Sequence, residues 1–394
     1  MNIVFITSEF PYPPNSGGRI YTWQRIKYLS LNNNIFLFSI IDDGDIKYLN
    51  DEVVKTTFKE FNVYKRKNKI IQGIKGISYP FSVATRRNEE MFQDISKLIN
   101  SRSIDLIIID NPQMLINCDM NNKTPKILTQ HNIEYKAFES MYKNSNNIIK
   151  KIIYRREYRL MKNFEEKYYH NNKINGYSFI SEEDKRYFEE EYSNTNTILV
   201  PPGVDEININ SEKKDDYNIV FTGKMDYEPN IQAMKWFSED IFPKIIKEIP
   251  KVKLYIVGKN PTDYIKSLAS DNVVVTGEVE SVEEYLNKAN IVVIPLLSGG
   301  GVKIKLIEAL QYNNIVITTS KGSEGTKFKH LEHLIQTDND NEFAMYCIDV
   351  LKEKERFYYL IDNSKKCIQE NYLYASIMNK YEVFLKKILK DMLA

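Results

Sequence analysis

Asn2-Ile-Val-Phe-Ile-Thr7 stands near the start of the chain, and a similar run, Asn218-Ile-Val-Phe-Thr-Gly223, stands just past its midpoint. Each run opens a series in which short β-branched segments alternate with helical patterns. That alternation is typical of parallel sheets covered by helices. The sequence therefore predicts an α/β protein built from two similar halves.

The predicted strands divide between these halves. They are expected at 2–7, 34–41, 105–109, 126–130, 176–180 and 197–200, then at 218–222, 253–257, 272–275, 290–295 and 314–318. Proline, glycine and charge interrupt the apolar periodicity at Pro201-Pro-Gly-Val-Asp205 and in the polar stretch 210–217. Open α/β sheets bind ligands at the carboxyl ends of their strands. Functional residues are therefore expected in the loops after strands, along a crevice between the halves.

The bulk composition limits the class of protein. Of the 394 residues, 42% are hydrophobic and 27% are charged, and a net charge of +1 argues against nucleic acid as a partner. Three scattered cysteines, Cys118, Cys347 and Cys367, indicate a reducing compartment and no structural zinc. The N-terminus lacks a signal-like pattern, and no apolar run approaches the ~20 residues of a membrane span. We therefore expect a cytoplasmic protein, at most peripheral at the inner face of the membrane.

The strongest motif is Ser298-Gly-Gly-Gly-Val-Lys-Ile-Lys-Leu-Ile-Glu-Ala-Leu310, a glycine-rich turn that follows a predicted strand and opens a helix. Glycines let the backbone approach a ligand closely, and a helix N-terminus attracts anions, so this turn suits a diphosphate. Lys305 and Glu308 share one helix face. The lysine could neutralise phosphate and the carboxylate could accept from ribose hydroxyls. A tight turn followed by an ordinary helix salt bridge explains the same spacing.

Other candidates also follow predicted strands. Thr222-Gly223-Lys224 ends the first strand of the second half, and the matching turn of the first half contains Gly17 and Gly18. His131 follows strand 126–130, where it could donate to a phosphate or a sugar hydroxyl. A surface lysine and a structural histidine are the alternative interpretations.

Metal-ligating patterns are weak. Asp43-Gly-Asp45 and Asp338-Asn-Asp340 each match the short D-x-D pattern of metal-dependent sugar transferases, but both are expected to be solvated loops. His330 and His333 have no third ligand nearby. No metal site is expected.

The stretch Lys150 to Lys167 has seven cations among isoleucines, tyrosine, leucine and phenylalanine. It could form a basic amphipathic helix on anionic lipid. A solvated helix that packs its apolar stripe on the first half fits equally well.

In combination, these motifs resemble the GT-B glycosyltransferases of the retaining group 1 family, also called family 4. The resemblance runs through most of the chain, in the same order as in the family. Its segments are Phe10–Arg19, Gln130–Glu134, Ser181, Pro202–Asp205, Phe221–Asn230, Tyr255–Pro261, the glycine-rich turn and Thr318–Gly325.

This resemblance implies two Rossmann-like domains facing across a cleft, an acceptor-side domain at 1–200 and a donor domain at 201–372. The C-terminal helix, 373–394, would pack back on the first domain. It implies a hexosyltransferase that acts with retention and without a metal or cofactor. The donor would be a UDP- or GDP-sugar, and the acceptor a glycan, glycolipid or glycoprotein in cell-surface polysaccharide or glycoconjugate synthesis.

The resemblance also implies roles for single residues. Lys224 and Lys305 would hold the diphosphate, Glu308 the ribose, and His131 would lie close to the transferred sugar. The remaining donor-binding residues would be Gly17, Gly18, Gly223, Gly299, Gly300, Gly301 and Val302.

Two positions depart from the family pattern. Gly300 stands where the family often has the first carboxylate of a Glu-x7-Glu pair, and Asn230 stands in the region of a second phosphate lysine. We therefore expect Lys305 to carry more of the phosphate charge. A non-catalytic nucleotide-sugar-binding scaffold and a sugar-nucleotide epimerase of the same fold are the alternative functions.

Overall fold

The computed structural model describes residues 1–66, 78–145, 147–170, 173–193, 195–205 and 217–393. The chain divides into two compact units, one of Met1–Pro201 with Met378–Ala394 and one of Pro202–Ile377. Residues 210–216 of the predicted interdomain stretch lie outside the described residues.

The first unit is built on a parallel sheet in the order β3-β2-β1-β4-β5-β6-β7. Its strands are β1 (Asn2–Thr7), β2 (Asn34–Ile41), β3 (Glu60–Lys65), β4 (Leu106–Asp110), β5 (Lys126–Gln130), β6 (Gly176–Phe179) and β7 (Thr197–Leu199). Its α-helices are Gly17–Ser30, Glu52–Thr57, Phe81–Ala84, Glu89–Ser101, Glu134–Asn144, Ile148–Tyr169 and Glu182–Glu191, with 3-10 turns at Asp43–Asn50 and Pro112–Asn117. β4 and β5 are fully buried, as expected for strands covered by helices on both faces.

The second unit repeats this plan with a parallel sheet in the order β10-β9-β8-β11-β12-β13. Its strands are β8 (Asn218–Thr222), β9 (Lys253–Val257), β10 (Val273–Gly277), β11 (Ile291–Ile294), β12 (Ile315–Thr318) and β13 (Ile335–Gln336). Its α-helices are Glu228–Trp236, Phe242–Glu248, Asp263–Ser267, Glu283–Lys288, Ile304–Gln311, Ser320–Ser323, Asp340–Lys352 and Tyr358–Asn371, with a π-helical turn at Phe237–Ile241 and a 3-10 turn at Lys354–Phe357.

The last helix, Tyr374–Leu393, joins the first unit from Met378 onward. Tyr28 donates a hydrogen bond to the Asn379 side chain at 2.6 Å, and Tyr381 is completely buried. The predicted packing of this helix on the first domain is confirmed. None of the described helices is long and apolar enough to cross a bilayer.

The similar runs Asn2–Thr7 and Asn218–Gly223 occupy equivalent positions, because β1 and β8 are each the third strand from one edge of their sheet. In each sheet the chain first adds strands on one side of this strand and then on the other. Ligands of doubly wound sheets bind at the carboxyl ends of strands where this order reverses. In the second unit that point lies between β8 and β11, and in the first between β1 and β4.

Candidate functional site

The glycine turn and Gly223 both lie at the switch point of the second sheet. β8 pairs with β11, so the residues that follow these two strands emerge side by side. Gly223 follows β8, and Ser298–Gly301 lies between β11 and the helix Ile304–Gln311. The sequence prediction that the glycine turn opens a helix is confirmed.

The strand ends at this point approach closely enough to require glycine. A Cβ atom on Gly258, after β9, would come within 1.6 Å of the Gly223 carbonyl oxygen. A Cβ atom on Gly223 would come within 2.8 Å of Lys305 Nζ and 2.7 Å of the Asn230 amide. Any side chain at either glycine would therefore displace the groups behind the loop.

Lys305 lies directly behind Gly223. Its Nζ donates to the Thr222 carbonyl oxygen at 2.6 Å and to Asn230 Oδ1 at 3.0 Å, and it lies 4.4 Å from the centre of the Phe221 ring. Burial lowers the pKa of Lys305 to about 7, although nearby Glu308 acts to raise it. A lysine with this pKa gains its full charge when an anion binds beside it.

Glu308 is the acidic partner of this lysine. Burial raises the pKa of the Glu308 carboxyl, and the charge of Lys305 partly offsets that rise. Among residues 217–393, which contain this site, no donor is hydrogen-bonded to the carboxylate. It is thus able to accept hydrogen bonds from a ligand.

The glycine turn itself uses conformations that other residues avoid. Gly299 has φ +103° and Gly301 has φ +72°, both in the left-handed region that favours glycine. Val302 packs against the core of the second unit and anchors the end of the turn. The turn therefore presents backbone rather than side chains, next to a helix N-terminus.

Lys224 and Asn230 differ in how firmly they are held. Lys224 is half-exposed and lies 3.3 Å from the Asp226 carboxylate. Asn230 is buried, donates to the Lys224 carbonyl oxygen at 2.8 Å and accepts from Lys305. Asn230, in the region where the family pattern has a lysine, thus fixes the loop after β8.

Sequence reasoning missed Lys303. This residue precedes the helix Ile304–Gln311, and its Nζ donates to the carbonyl oxygens of all three turn glycines. Its position immediately after the glycines was visible in the sequence, but the direction of its side chain was not.

In the first unit, His131 forms part of a buried polar network. Its Nε2 donates to Asp110 Oδ1 at 3.0 Å, because β4 and β5 are neighbours and both end here. Arg25 pairs with the same carboxylate, and Thr22 donates to its other oxygen at 2.7 Å. Burial alone would raise the pKa of Asp110, but His131 and Arg25 hold it well below its ordinary value. Asp110 is therefore an anion that orients the imidazole.

Gly17 and Gly18 begin the helix Gly17–Ser30. The next residue, Arg19, binds Glu9 at 3.1 Å and forms two hydrogen bonds with Asp45 at 3.0 and 2.7 Å. The expectation that Asp45 lies in a solvated loop is therefore wrong: its carboxylate is buried against Arg19.

The other residues considered as metal ligands serve structural contacts. Asp43 is exposed and pairs with Lys65, whereas Asp338 accepts from the Ser320 amide. His330 and His333 each accept a backbone hydrogen bond through Nδ1. Within the described residues, no group of three or more histidine, cysteine or acidic side chains is arranged to hold a metal ion.

Comparison with known proteins gives a consistent result for family and fold. The family of "Glycosyl transferases group 1" matches residues 216–353, which include the glycine turn, Lys305 and Glu308. A curated protein from Klebsiella pneumoniae, described as an "uncharacterized 44.6 kDa protein in cps region", is 25% identical over 94% of this chain and 96% of its own length.

Solved structures show the same fold. Anabaena HepE in complex with UDP and glucose superimposes with a TM-score of 0.64 at 14% identity, covering 98% of this chain and 100% of HepE. A glycosyltransferase from Rickettsia africae gives a TM-score of 0.69 at 14% identity, covering 99% of both chains. The predicted GT-B architecture of two parallel-sheet domains is confirmed.

Proposed function

We propose that the protein transfers a hexose from a UDP-sugar to a carbohydrate acceptor, since residues 216–353 match the group 1 glycosyltransferases and the chain has the GT-B fold. The observation that carries this proposal is the constellation at the second switch point. There, a half-buried lysine, a carboxylate ready to accept hydrogen bonds and a glycine turn lie at the ends of adjacent strands.

Each part of this constellation suits one part of a nucleotide sugar. The Glu308 carboxylate accepts from the two ribose hydroxyls, which are the donors it otherwise lacks. The glycine turn and the N-terminus of helix Ile304–Gln311 receive the diphosphate, with Lys305 behind Gly223 and Lys224 at the rim. UDP is the nucleotide of choice because HepE, which shares the fold, was crystallised with UDP and glucose.

The same groups assist departure of the diphosphate. Negative charge grows on this leaving group as the sugar–oxygen bond breaks, and oriented amides and cations stabilise charge that develops in the transition state. Backbone amides, Lys224 and Lys305 supply this stabilisation, so we propose that no metal ion is required. As in the group 1 resemblance, transfer proceeds with retention of configuration.

His131 is proposed as the residue that contacts the transferred sugar. Because Asp110 accepts from Nε2, the imidazole is fixed in orientation, and its other nitrogen, Nδ1, is proposed to bond a sugar hydroxyl. Gly17 and Gly18 are proposed to approach the donor with backbone alone. Substitution of these three residues would test their proposed roles.

The acceptor is proposed to be a growing cell-surface polysaccharide, in free, lipid-linked or protein-linked form. Support comes from the Klebsiella relative, which spans almost the same length and is described as lying in a cps region.

We further propose that the enzyme works at an anionic membrane surface. The helix Ile148–Tyr169 leaves four apolar side chains in solvent near its start: Ile148, Ile149, Ile152 and Ile153 are 76, 70, 65 and 50% exposed. The far end of the same helix is packed, since Met161, Phe164 and Tyr169 are buried. The first turns of this helix are therefore exposed to solvent, whereas its last turns pack in the core of the first unit.

The cationic side chains near these isoleucines indicate what kind of surface would cover them. Lys150 and Lys151 lie between these isoleucines, and Arg155 and Arg159 follow within the next two turns of the helix, so the apolar patch adjoins several cations. An apolar partner alone would leave the cations unpaired, whereas an anionic bilayer takes both, the side chains at the acyl boundary and the charges at the headgroups. This arrangement favours membrane contact over the solvated-helix interpretation.

The function is tested by measuring nucleotide release from a panel of UDP-, GDP- and CDP-sugars. Transfer or slow hydrolysis releases nucleotide, an epimerase changes the sugar without release, and a scaffold does neither.

A further inference from the structure

Three successive glycine carbonyls converge on one ammonium group. Lys303 Nζ lies 3.2 Å from the carbonyl oxygen of Gly299 and 3.0 Å from that of Gly300, and it also binds the carbonyl of Gly301. The Lys303 side chain is only 10% exposed. An ammonium carries three protons, so the three carbonyls satisfy it completely.

This convergence fixes the direction of the amides on the other side of the turn. In a trans peptide unit the C=O and N–H bonds point in opposite directions. When the carbonyls of Gly299, Gly300 and Gly301 face Lys303, the N–H groups of Gly300, Gly301 and Val302 must face away from it. Among the described residues, none accepts a hydrogen bond from these three amides.

Successive amides that point the same way form a concave donor group that binds anions. The left-handed φ values at Gly299 and Gly301 are what allow the chain to turn in this manner. A buried cation behind the amides adds attraction for an anion in front of them.

We propose that Lys303 is a positioning residue: it draws the glycine carbonyls to one side so that the amides of Gly300, Gly301 and Val302 bind the donor diphosphate. This inference rests on the proposed function. It also gives a physical meaning to Gly300, the position where related sequences often have a carboxylate. Backbone amides take over the contact, and a carboxylate there would oppose the bound anion.

Lys303 lies in a cluster with Glu324 and Lys321. Glu324 Oε2 lies 3.9 Å from its Nζ, and Lys321 binds the same carboxylate at 2.7 Å. Burial lowers the pKa of Lys303 to about 8, with Glu324 acting to raise it and Lys321 to lower it further. The lysine is thus protonated at neutral pH, in the form that the three carbonyls require.

The matched control is present in the chain. Lys321 pairs with the same Glu324, and in the part of the chain that the structure describes it forms no hydrogen bond with the glycine turn. Lys303→Met removes the ammonium at the turn, whereas Lys321→Met removes a cation from the same cluster. A merely electrostatic role of the cluster predicts similar effects of both substitutions.

The decisive readout is hydrogen exchange of the backbone amides in residues 299–303, followed with and without UDP. In the wild-type protein, UDP should slow exchange there. In Lys303→Met that protection should disappear and the KM for the donor should rise at least tenfold, with a smaller change in kcat. Lys321→Met should behave like the wild type, and Lys303→Arg should recover part of the protection.

Wild-type measurements alone can overturn the inference, whatever the variants do. If UDP binds and these amides exchange at an unchanged rate, Lys303 does not position them for the diphosphate. Equal donor KM values for Lys303→Met and Lys321→Met would contradict it as well. If the wild type binds no nucleotide and uses no nucleotide sugar, the proposed function itself fails and the inference falls with it.

Discussion

Lys305 Nζ donates to the carbonyl oxygen of Thr222 at 2.6 Å, which ties the helix after the glycine turn to the last residue of β8. This hydrogen bond joins two segments that lie 83 residues apart in sequence, next to Gly223. Lys305 uses two of its three protons on Thr222 and Asn230. The lysine therefore supports the loop and leaves one donor for an anion, a dual role that the sequence spacing did not reveal.

The low pKa of Lys305 predicts that UDP binding takes up protons. Burial places this pKa at about 7, so at pH 8 the free enzyme has mostly neutral Lys305. A bound diphosphate raises the pKa, because the charged form gains an opposite charge nearby. Calorimetric enthalpies at pH 8 should therefore vary with the ionisation enthalpy of the buffer, with net proton uptake to which Lys303, whose pKa is about 8, adds a smaller share.

Because UDP binding takes up protons, UDP should bind more weakly as pH rises from 7.5 to 9. Lys305→Met should abolish most of the uptake. Enthalpies independent of buffer in the wild type would place the diphosphate away from Lys305.

Glu308→Gln should weaken UDP binding by about 1.5–3 kcal/mol, because an amide forms weaker bonds with the ribose hydroxyls than a carboxylate does. This corresponds to about a 10- to 150-fold rise in Kd. Calorimetry with free UDP measures it. The control is Glu284→Gln, an exposed glutamate on another helix. Equal Kd values in the two folded variants would remove Glu308 from the ribose site.

Gly300→Glu should abolish turnover while the protein stays folded. A carboxylate at this position would face the diphosphate that the neighbouring amides bind, and the two negative charges repel each other. Gly300→Val should weaken donor binding through bulk alone. Gly44→Glu is the control, because a Cβ there meets no atom within 4 Å. Wild-type donor kinetics in Gly300→Glu would show that the turn lies outside the active site.

Replacing two exposed isoleucines by aspartate, Ile149→Asp with Ile152→Asp, should reduce sedimentation with phosphatidylglycerol vesicles at least tenfold. The substitutions remove apolar area and add charge that anionic lipid repels. The control is Val383→Asp, an isolated apolar residue that is 68% exposed on the last helix. Wild-type binding should also fall as salt rises.

Two outcomes would contradict membrane contact. One is equal vesicle binding by the double variant and Val383→Asp. The other is a wild-type protein that ignores vesicles but self-associates through the isoleucines, seen as a concentration-dependent mass that the double variant loses.

Long, apolar and repeated elements were predictable from the sequence, whereas short or mixed ones were not. β1, β2, β5, β8 and β9 begin and end where the patterning predicts, because β-branched residues fill buried central strands. β3 was missed because Glu60 and Asn62 dilute its pattern at the sheet edge, and β13 has only two residues.

At the site, the sequence identified residue types and strand ends but not partners. The motif order located the glycine turn, Lys305 and Glu308. The buried state of Asp45 depends on Arg19, and the role assigned to Lys303 depends on where its side chain turns. Both are set by tertiary packing, which periodicity does not encode.

The most direct test of the account is nucleotide release by the purified chain from UDP-hexoses, with EDTA present throughout and free UDP as a competitor. We predict steady UDP release in the absence of added acceptor, its stimulation by a carbohydrate acceptor, and its loss in Glu308→Gln at subsaturating donor. The proposed function is contradicted if no nucleotide sugar is cleaved, and the proposed metal independence is contradicted if cleavage appears only when manganese or magnesium is restored.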